Sequence, residues 1–175
     1  QGGRRNRAPR RERKTGMKRL ALALALLAGP AAARDALGVY QGWGAFRDSK
    51  PQRCFAIAEP IRKGNSNWRP FASVAHWPLQ RIRGQIHVRL SRAVDTGTPV
   101  ELSIDGKRFS LVAGGADAWA PDSRSDAAIV AAMRAGQRMS ISAMAKGTGR
   151  FADSYLLKGA ATAIDAAALG CARRR

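Results

Sequence analysis

Along this 175-residue chain, hydrophobic and polar positions alternate in short runs broken by Gly, Pro and Asp, the pattern of an antiparallel β protein. The clearest run is Arg81 to Ser91 (RIRGQIHVRLS). Period two points Ile82, Ile86, Val88 and Leu90 one way and Arg81, Arg83, Gln85, His87 and Arg89 the other. Val39 to Phe46 and Arg53 to Ala58 flank a turn at Asp48-Ser49-Lys50-Pro51 and read as a hairpin, with Trp43, Phe46, Phe55 and Ile57 as core candidates. Residues 60–69 are rich in Gly, Asn, Ser and Pro and predict a loop on which Trp68 is exposed. Asp105-Gly106 between VELSI and KRFSLV predicts a two-residue hairpin that sets Leu102 opposite Phe109, Val100 opposite Leu111 and Ser103 opposite Arg108.

The C-terminal half adds helical periodicity. Gly114 to Arg124 reads as a connection, and Ser125 as the cap of a helix over Asp126 to Ala135, stopped by Gly136, with Ile129, Val130 and Met133 facing inward. Arg138 to Ala145 and Asp153 to Lys158 are strands about a Gly147-Thr148-Gly149 turn. Thr162 with Asp165 then forms a capping box for a short helix ending at Gly170, next to Cys171. The elements sum to a mainly β chain: an antiparallel β-sandwich of immunoglobulin-like size with two short helices in its C-terminal half.

Met17 to Ala33 (MKRLALALALLAGPAAA) does not fit this pattern. A basic start at Lys18-Arg19, an apolar core from Leu20 to Ala28, a Gly29-Pro30 break and an Ala31-Ala32-Ala33 exit are the parts of a secretory signal peptide. The core is shorter than the roughly 20 apolar residues a membrane span needs. The alternative is a buried Ala/Leu helix, which leaves the basic and small-residue flanks without a role. The expectation is therefore cleavage near Ala33, a single domain over residues 34–175, and a location in the periplasm or outer envelope. Residues 1–16 carry seven Lys/Arg against Glu12 and predict a basic disordered leader, or an upstream start with Met17 as the first residue.

Export changes the charge argument. The formal net charge is +19, and residues 1–33 hold nine basic residues and one acid, which leaves 22 basic and 11 acidic residues, or +11, in residues 34–175. A basic surface favours anionic partners. Residues 60–94 contain no Asp or Glu but seven Lys/Arg, with Trp68, Phe71 and Trp77 among them. Arg81, Arg83, His87 and Arg89 are thus a candidate face for anionic lipid or lipopolysaccharide. The other reading is a solvated sheet face whose arginines meet acids on the next strand; a turn centred on Gly97 would set Arg89 opposite Asp105. In an oxidising compartment, Cys54 and Cys171 read as a disulfide, with two separate buried thiols as the alternative.

Catalytic and cofactor signals are missing from the pattern. Two cysteines with His76 and His87 show no metal-ligand spacing, Gly114-Gly115 lacks the remainder of a phosphate loop, and no GxSxG or HExxH occurs. Asp117, Asp122 and Asp126 near Trp119 could suggest a hydrolase, but turn and cap chemistry explains that spacing. The expectation is a non-enzymatic protein with no cofactor. A basic nucleic-acid-binding module is the alternative from another class, disfavoured by export.

The chain also resembles the invasion-associated locus B proteins of α-proteobacteria over roughly residues 38–172. The likeness rests on the exported leader, on Trp43 followed by Cys54, and on the tail order of helix, Gly136, basic residue, apolar strand and hairpin. Leu157-Lys158-Gly159 before AATAIDAAAL is similar to the family's ending. The resemblance implies a β-sandwich, an envelope location and no established enzymatic activity. Taken with the basic face, the expectation is an envelope protein that binds anionic lipid or lipopolysaccharide, or a protein partner. Many members carry a further Cys near the position of Arg47, paired with the one at Cys54. In its absence, Cys54 is left to pair with Cys171.

Overall fold

The computed structural model describes residues 34–62, 66–95 and 97–172; the expected basic leader, signal peptide and cleavage site lie outside them. Five antiparallel strands come first: Arg34–Tyr40 (β1), Trp43–Ser49 (β2), Gln52–Ala58 (β3), Phe71–Trp77 (β4) and Ile82–Arg89 (β5). A short 3-10 turn, Pro78–Gln80, joins the last two. Val100–Ile104 (β6), Lys107–Gly114 (β7) and Asp117–Trp119 (β8) follow, and then a helix, Ser123–Ala135 (α1). Arg138–Ala145 (β9), Gly149–Leu156 (β10) and a second helix, Ala160–Gly170 (α2), complete the chain.

All ten strands form one antiparallel order, β1-β2-β3-β4-β5-β8-β7-β6-β9-β10, which does not close into a barrel. Its halves face each other across a single core of Trp43, Val74, Val88, Leu102, Ile141 and Tyr155, with Ile129 and Met133 of α1 and Ile164 of α2. The far ends of the order meet. The Trp43 indole on β2 donates to the Leu156 carbonyl on β10 at 2.8 Å, and the Ile61 amide donates to the Ser154 carbonyl at 2.7 Å. The mainly antiparallel β architecture with two C-terminal helices is thus the one the alternation predicted.

Local chemistry explains the elements that matched. Asp105 and Gly106 adopt φ of 46° and 89°, as a two-residue hairpin loop demands, and pair Leu102 with Phe109, Val100 with Leu111 and Ser103 with Arg108. Gly136 ends α1, where a Cβ would lie 2.6 Å from Ile104 and 3.0 Å from the Ala132 carbonyl.

Other expectations are corrected. Val39 to Phe46 is two strands, because the chain turns at Gln41-Gly42, with Gln41 in the left-handed region at φ 56° and Tyr40 opposite Trp43. Phe71–Trp77 is a full strand whose Ala72 to Ala75 are all buried, so neither face left a polar alternation to read. Within the expected connection, Asp117–Trp119 is a three-residue strand that joins β5 to β7, too short to show a period. Asp122, not Ser125, caps α1: its carboxylate accepts the Ser125 amide at 2.7 Å. β10 begins four residues before Asp153. Helix α2 uses no capping box. Its cap is Gly159 at φ 90°, pressed against the Tyr40 backbone where a Cβ has no room. Trp68 is half-buried, because its indole donates to the Leu90 carbonyl at 2.7 Å.

Helix α2 packs on β1, β2 and β3, and Cys171 at its end is joined to Cys54 of β3 across 117 residues of chain. Converting both to serine is expected to cost roughly 4–5 kcal/mol by the loop-entropy relation. Equilibrium denaturant unfolding of the two proteins measures it; a difference under about 1 kcal/mol would show that packing alone seats α2.

Candidate functional site

Strand β5 carries Arg83, His87 and Arg89, Arg81 immediately precedes it, and a β-bulge divides these four candidate residues. Ala75 lies opposite Gln85 but Trp77 lies opposite Ile82, so Arg83 and Gly84 together face the single residue His76. Gly84 takes φ 73° there, which glycine adopts freely, and a residue at this position faces Val130 of α1. Past the bulge the alternation inverts. Ile82 joins Trp77 on the outer face, while Arg81 and Arg83 turn to the side of His76 and α2. The lone glycine inside an otherwise regular strand was the signal for this.

His87 and Arg89 stay on the outer face, where both meet Asp117 of the adjoining β8. The His87 ring nitrogen Nε2 lies 2.9 Å from Asp117 Oδ1, and Arg89 donates to Asp117 Oδ2 at 3.0 Å. His87 stacks on Trp119 with centroids 5.2 Å apart, Phe71 meets its edge at 5.1 Å, and the Arg89 guanidinium lies over Trp68 at 5.5 Å. The acid on the next strand is therefore Asp117. Asp105 cannot face Arg89, because β6 pairs with β7 and β9, and the Asp105 carboxylate accepts the Gln137 and Arg138 amides at 2.8 and 3.1 Å. Half of the expected positive stripe is thus neutralised in place.

Arg81 and Arg83 are exposed and have no carboxylate partner among the described residues. They line a cleft of ≈ 950 Å³ together with His76, Pro78 and the last turn of α2, where Ala168, Cys171 and Ala172 form the opposite wall. Arg81 closes the 3-10 turn through its amide to the Pro78 carbonyl and sits in the left-handed region at φ 59°, an uncommon setting for a side chain of this size. The disulfide fixes the α2 wall to β3, and Cys54 pairs with His76 in the β3–β4 register. His76 Nε2 is buried without a hydrogen-bond partner among the described residues. Burial, and then the charges of Arg134 and Arg83, hold the His76 pKa below its usual value. Arg134 itself is engaged by Asp165 at 2.6 Å. Sequence reasoning had no route to His76, since the strand that carries it showed no alternation.

The aspartates near Trp119 are bound into structure. Asp122 caps α1, and the backbone amide of Ser125 holds its carboxyl below the usual range. Asp126 accepts the Ile86 amide at 2.7 Å, and burial pushes its pKa up. Asp117 pairs with His87 and Arg89.

No protein-family model and no curated protein matches the chain. A solved structure does: the crystal structure of invasion associated protein b from Bartonella henselae aligns with a TM-score of 0.53 over 76% of this chain and 96% of that one, at 18% identity. The chain shares that fold. The likeness to invasion associated protein b spans most of the described domain, in keeping with the order of tail elements that first suggested it.

The His76 environment sets a pH response. Because its folded pKa is lowered, the unfolded chain binds a proton that the native protein refuses, so stability is full above about pH 6.5 and falls as pH drops from there toward the lowered native value. Thermal unfolding between pH 7 and 5 is expected to lose stability more steeply in the wild type than in His76→Asn; parallel curves would place the charge-sensitive group elsewhere.

Proposed function

We propose that this chain is a non-enzymatic cell-envelope protein of the invasion-associated locus B type, exported through residues 17–33, that binds an anionic envelope component such as anionic lipid or lipopolysaccharide. The observation that carries the reading is the pair Arg81 and Arg83, held beside a cleft without counter-charges among the described residues while the neighbouring His87 and Arg89 are tied to Asp117. A guanidinium facing solvent with no partner is available to lipid phosphates, and basic residues near an anionic surface each contribute on the order of 1 kcal/mol. Export is supported by the leader pattern and by a disulfide suited to an oxidising compartment. The fold shared with invasion associated protein b supports the locus B assignment.

Co-sedimentation with vesicles tests the reading. The protein is expected to bind vesicles rich in phosphatidylglycerol or lipopolysaccharide, to release as salt rises, and to weaken by about tenfold in Arg81→Ser/Arg83→Ser. Arg89→Ser, which removes a cation already neutralised by Asp117, should change binding much less. Vesicle binding indifferent to salt and to both substitutions would sink the reading.

A further inference from the structure

We infer that the cleft between the start of β5 and the end of α2 is a receptor for a phosphate monoester, held by Arg81 and Arg83. This rests on the anion-binding reading and narrows it to one site and one chemical class. Charge matching selects the class. Among the described residues the two arginines are the unpaired cations of the cleft, and burial disfavours the charged form of His76 beside them. A phosphate monoester is close to a dianion at that pH and balances both guanidiniums, whereas a carboxylate or a phosphodiester carries one charge and would leave one cation uncompensated. Two guanidiniums also present enough N–H donors to meet all three terminal oxygens of a monoester in forked pairs.

The backbone makes this possible through two departures from regular geometry. Arg81 sits in the left-handed region, and the bulge at Gly84 turns Arg83 away from the outer face, so both arginines address the cleft instead of the face that carries His87 and Arg89. The opposite wall is fixed by the Cys54–Cys171 bond, which seats Cys171 and Ala172 across from the arginines. That wall is a helix C-terminus and contributes about half a negative charge, which reduces the field of two full positive charges but does not reverse it. A cleft of ≈ 950 Å³ is large enough for the sugar or glycerol group attached to the phosphate. The monoester can come from a membrane, as a phosphorylated lipid headgroup, or from solution, as a sugar phosphate.

The chain holds two histidines, His76 in the cleft and His87 on the outer face, and their ring signals in proton NMR separate the two locations. Glucose 1-phosphate added to the oxidised full-length protein is expected to shift the His76 signals in a saturable way and leave those of His87 in place. Arg81→Ser/Arg83→Ser should weaken its affinity by about tenfold or more. Arg108→Ser/Arg150→Ser, which removes the same charge elsewhere, should weaken it less than about threefold. A parallel arm compares vesicles of phosphatidic acid, a monoester, with vesicles of phosphatidylglycerol, a diester. Preference for phosphatidic acid without a response to glucose 1-phosphate assigns the lipid source, and the converse assigns the soluble one. Equal binding to both vesicles with no movement of His76 overturns this inference and leaves the general anion-binding reading standing. A His76 response with no vesicle binding does the reverse. Equal losses in the two double variants would make the effect one of net charge and overturn the site.

Discussion

Trp43 holds the two ends of the sheet together. Its side chain is fully buried on β2, next to the first edge of the strand order, and its indole reaches a carbonyl on β10 at the other edge. Burying a tryptophan removes on the order of 200 Å² from water, several kcal/mol at the usual area coefficient. The hydrogen bond is modest in net terms, but an unpaired indole N–H in that position would cost about 1–3 kcal/mol, which ties the side chain to one orientation. With that closure made, an open order of ten strands encloses one core. The Ile61 amide on the Ser154 carbonyl and the Ser91 amide on the buried Asp153 carboxylate tie β10 also to the segments that follow β3 and β5. Asp153 is 4% exposed and is tolerated there because it accepts a backbone donor that would otherwise be orphaned.

The second constraint is covalent. Helix α2 is mostly alanine and offers little side-chain volume to grip a sheet, yet it buries Ala160, Ala163, Ile164 and Ala167. Small residues let it approach the strands closely, with Gly159 against Tyr40 at its start and the Cys54–Cys171 bond at its end. The same bond makes one wall of the cleft. The feature that stabilises the C-terminus is therefore also the one that gives the candidate site a fixed shape, which matters because a preorganised site loses less entropy when a ligand arrives.

Charge is arranged differently on the two sides of β5. On the outer face, Asp117 lies between His87 and Arg89, and aromatic rings cover the remainder; exposed pairs of this kind contribute about a kcal/mol or less and leave a nearly neutral surface. On the cleft side no carboxylate among the described residues meets Arg81 or Arg83, and the nearby Asp165 is spent on Arg134. One glycine bulge separates these outcomes. A strand read as a continuous positive stripe is chemically two half-sites, one closed by its own protein and one open.

What the sequence determined was local. Asp105-Gly106 set a hairpin and its register, because neighbouring backbone sterics decide a two-residue turn. Gly136 and Gly170 marked helix ends because glycine is a poor helix former, and the alternation of apolar residues gave the antiparallel class. The Cys54–Cys171 pair was legible because only two cysteines exist. The tertiary structure decided the rest. Phe71–Trp77 and Asp117–Trp119 became strands because other strands lay on both sides of them, which no short-range pattern records. Asp117 rather than Asp105 met Arg89 because β8 entered between β5 and β7. Arg81 and Arg83 left the face they shared in the alternation because the backbone at Gly84 could adopt a positive φ while α1 packed over it. Turn chemistry acts over a few bonds and is written in a few residues, whereas strand order and the side a side chain addresses follow from which surfaces bury each other across the whole chain.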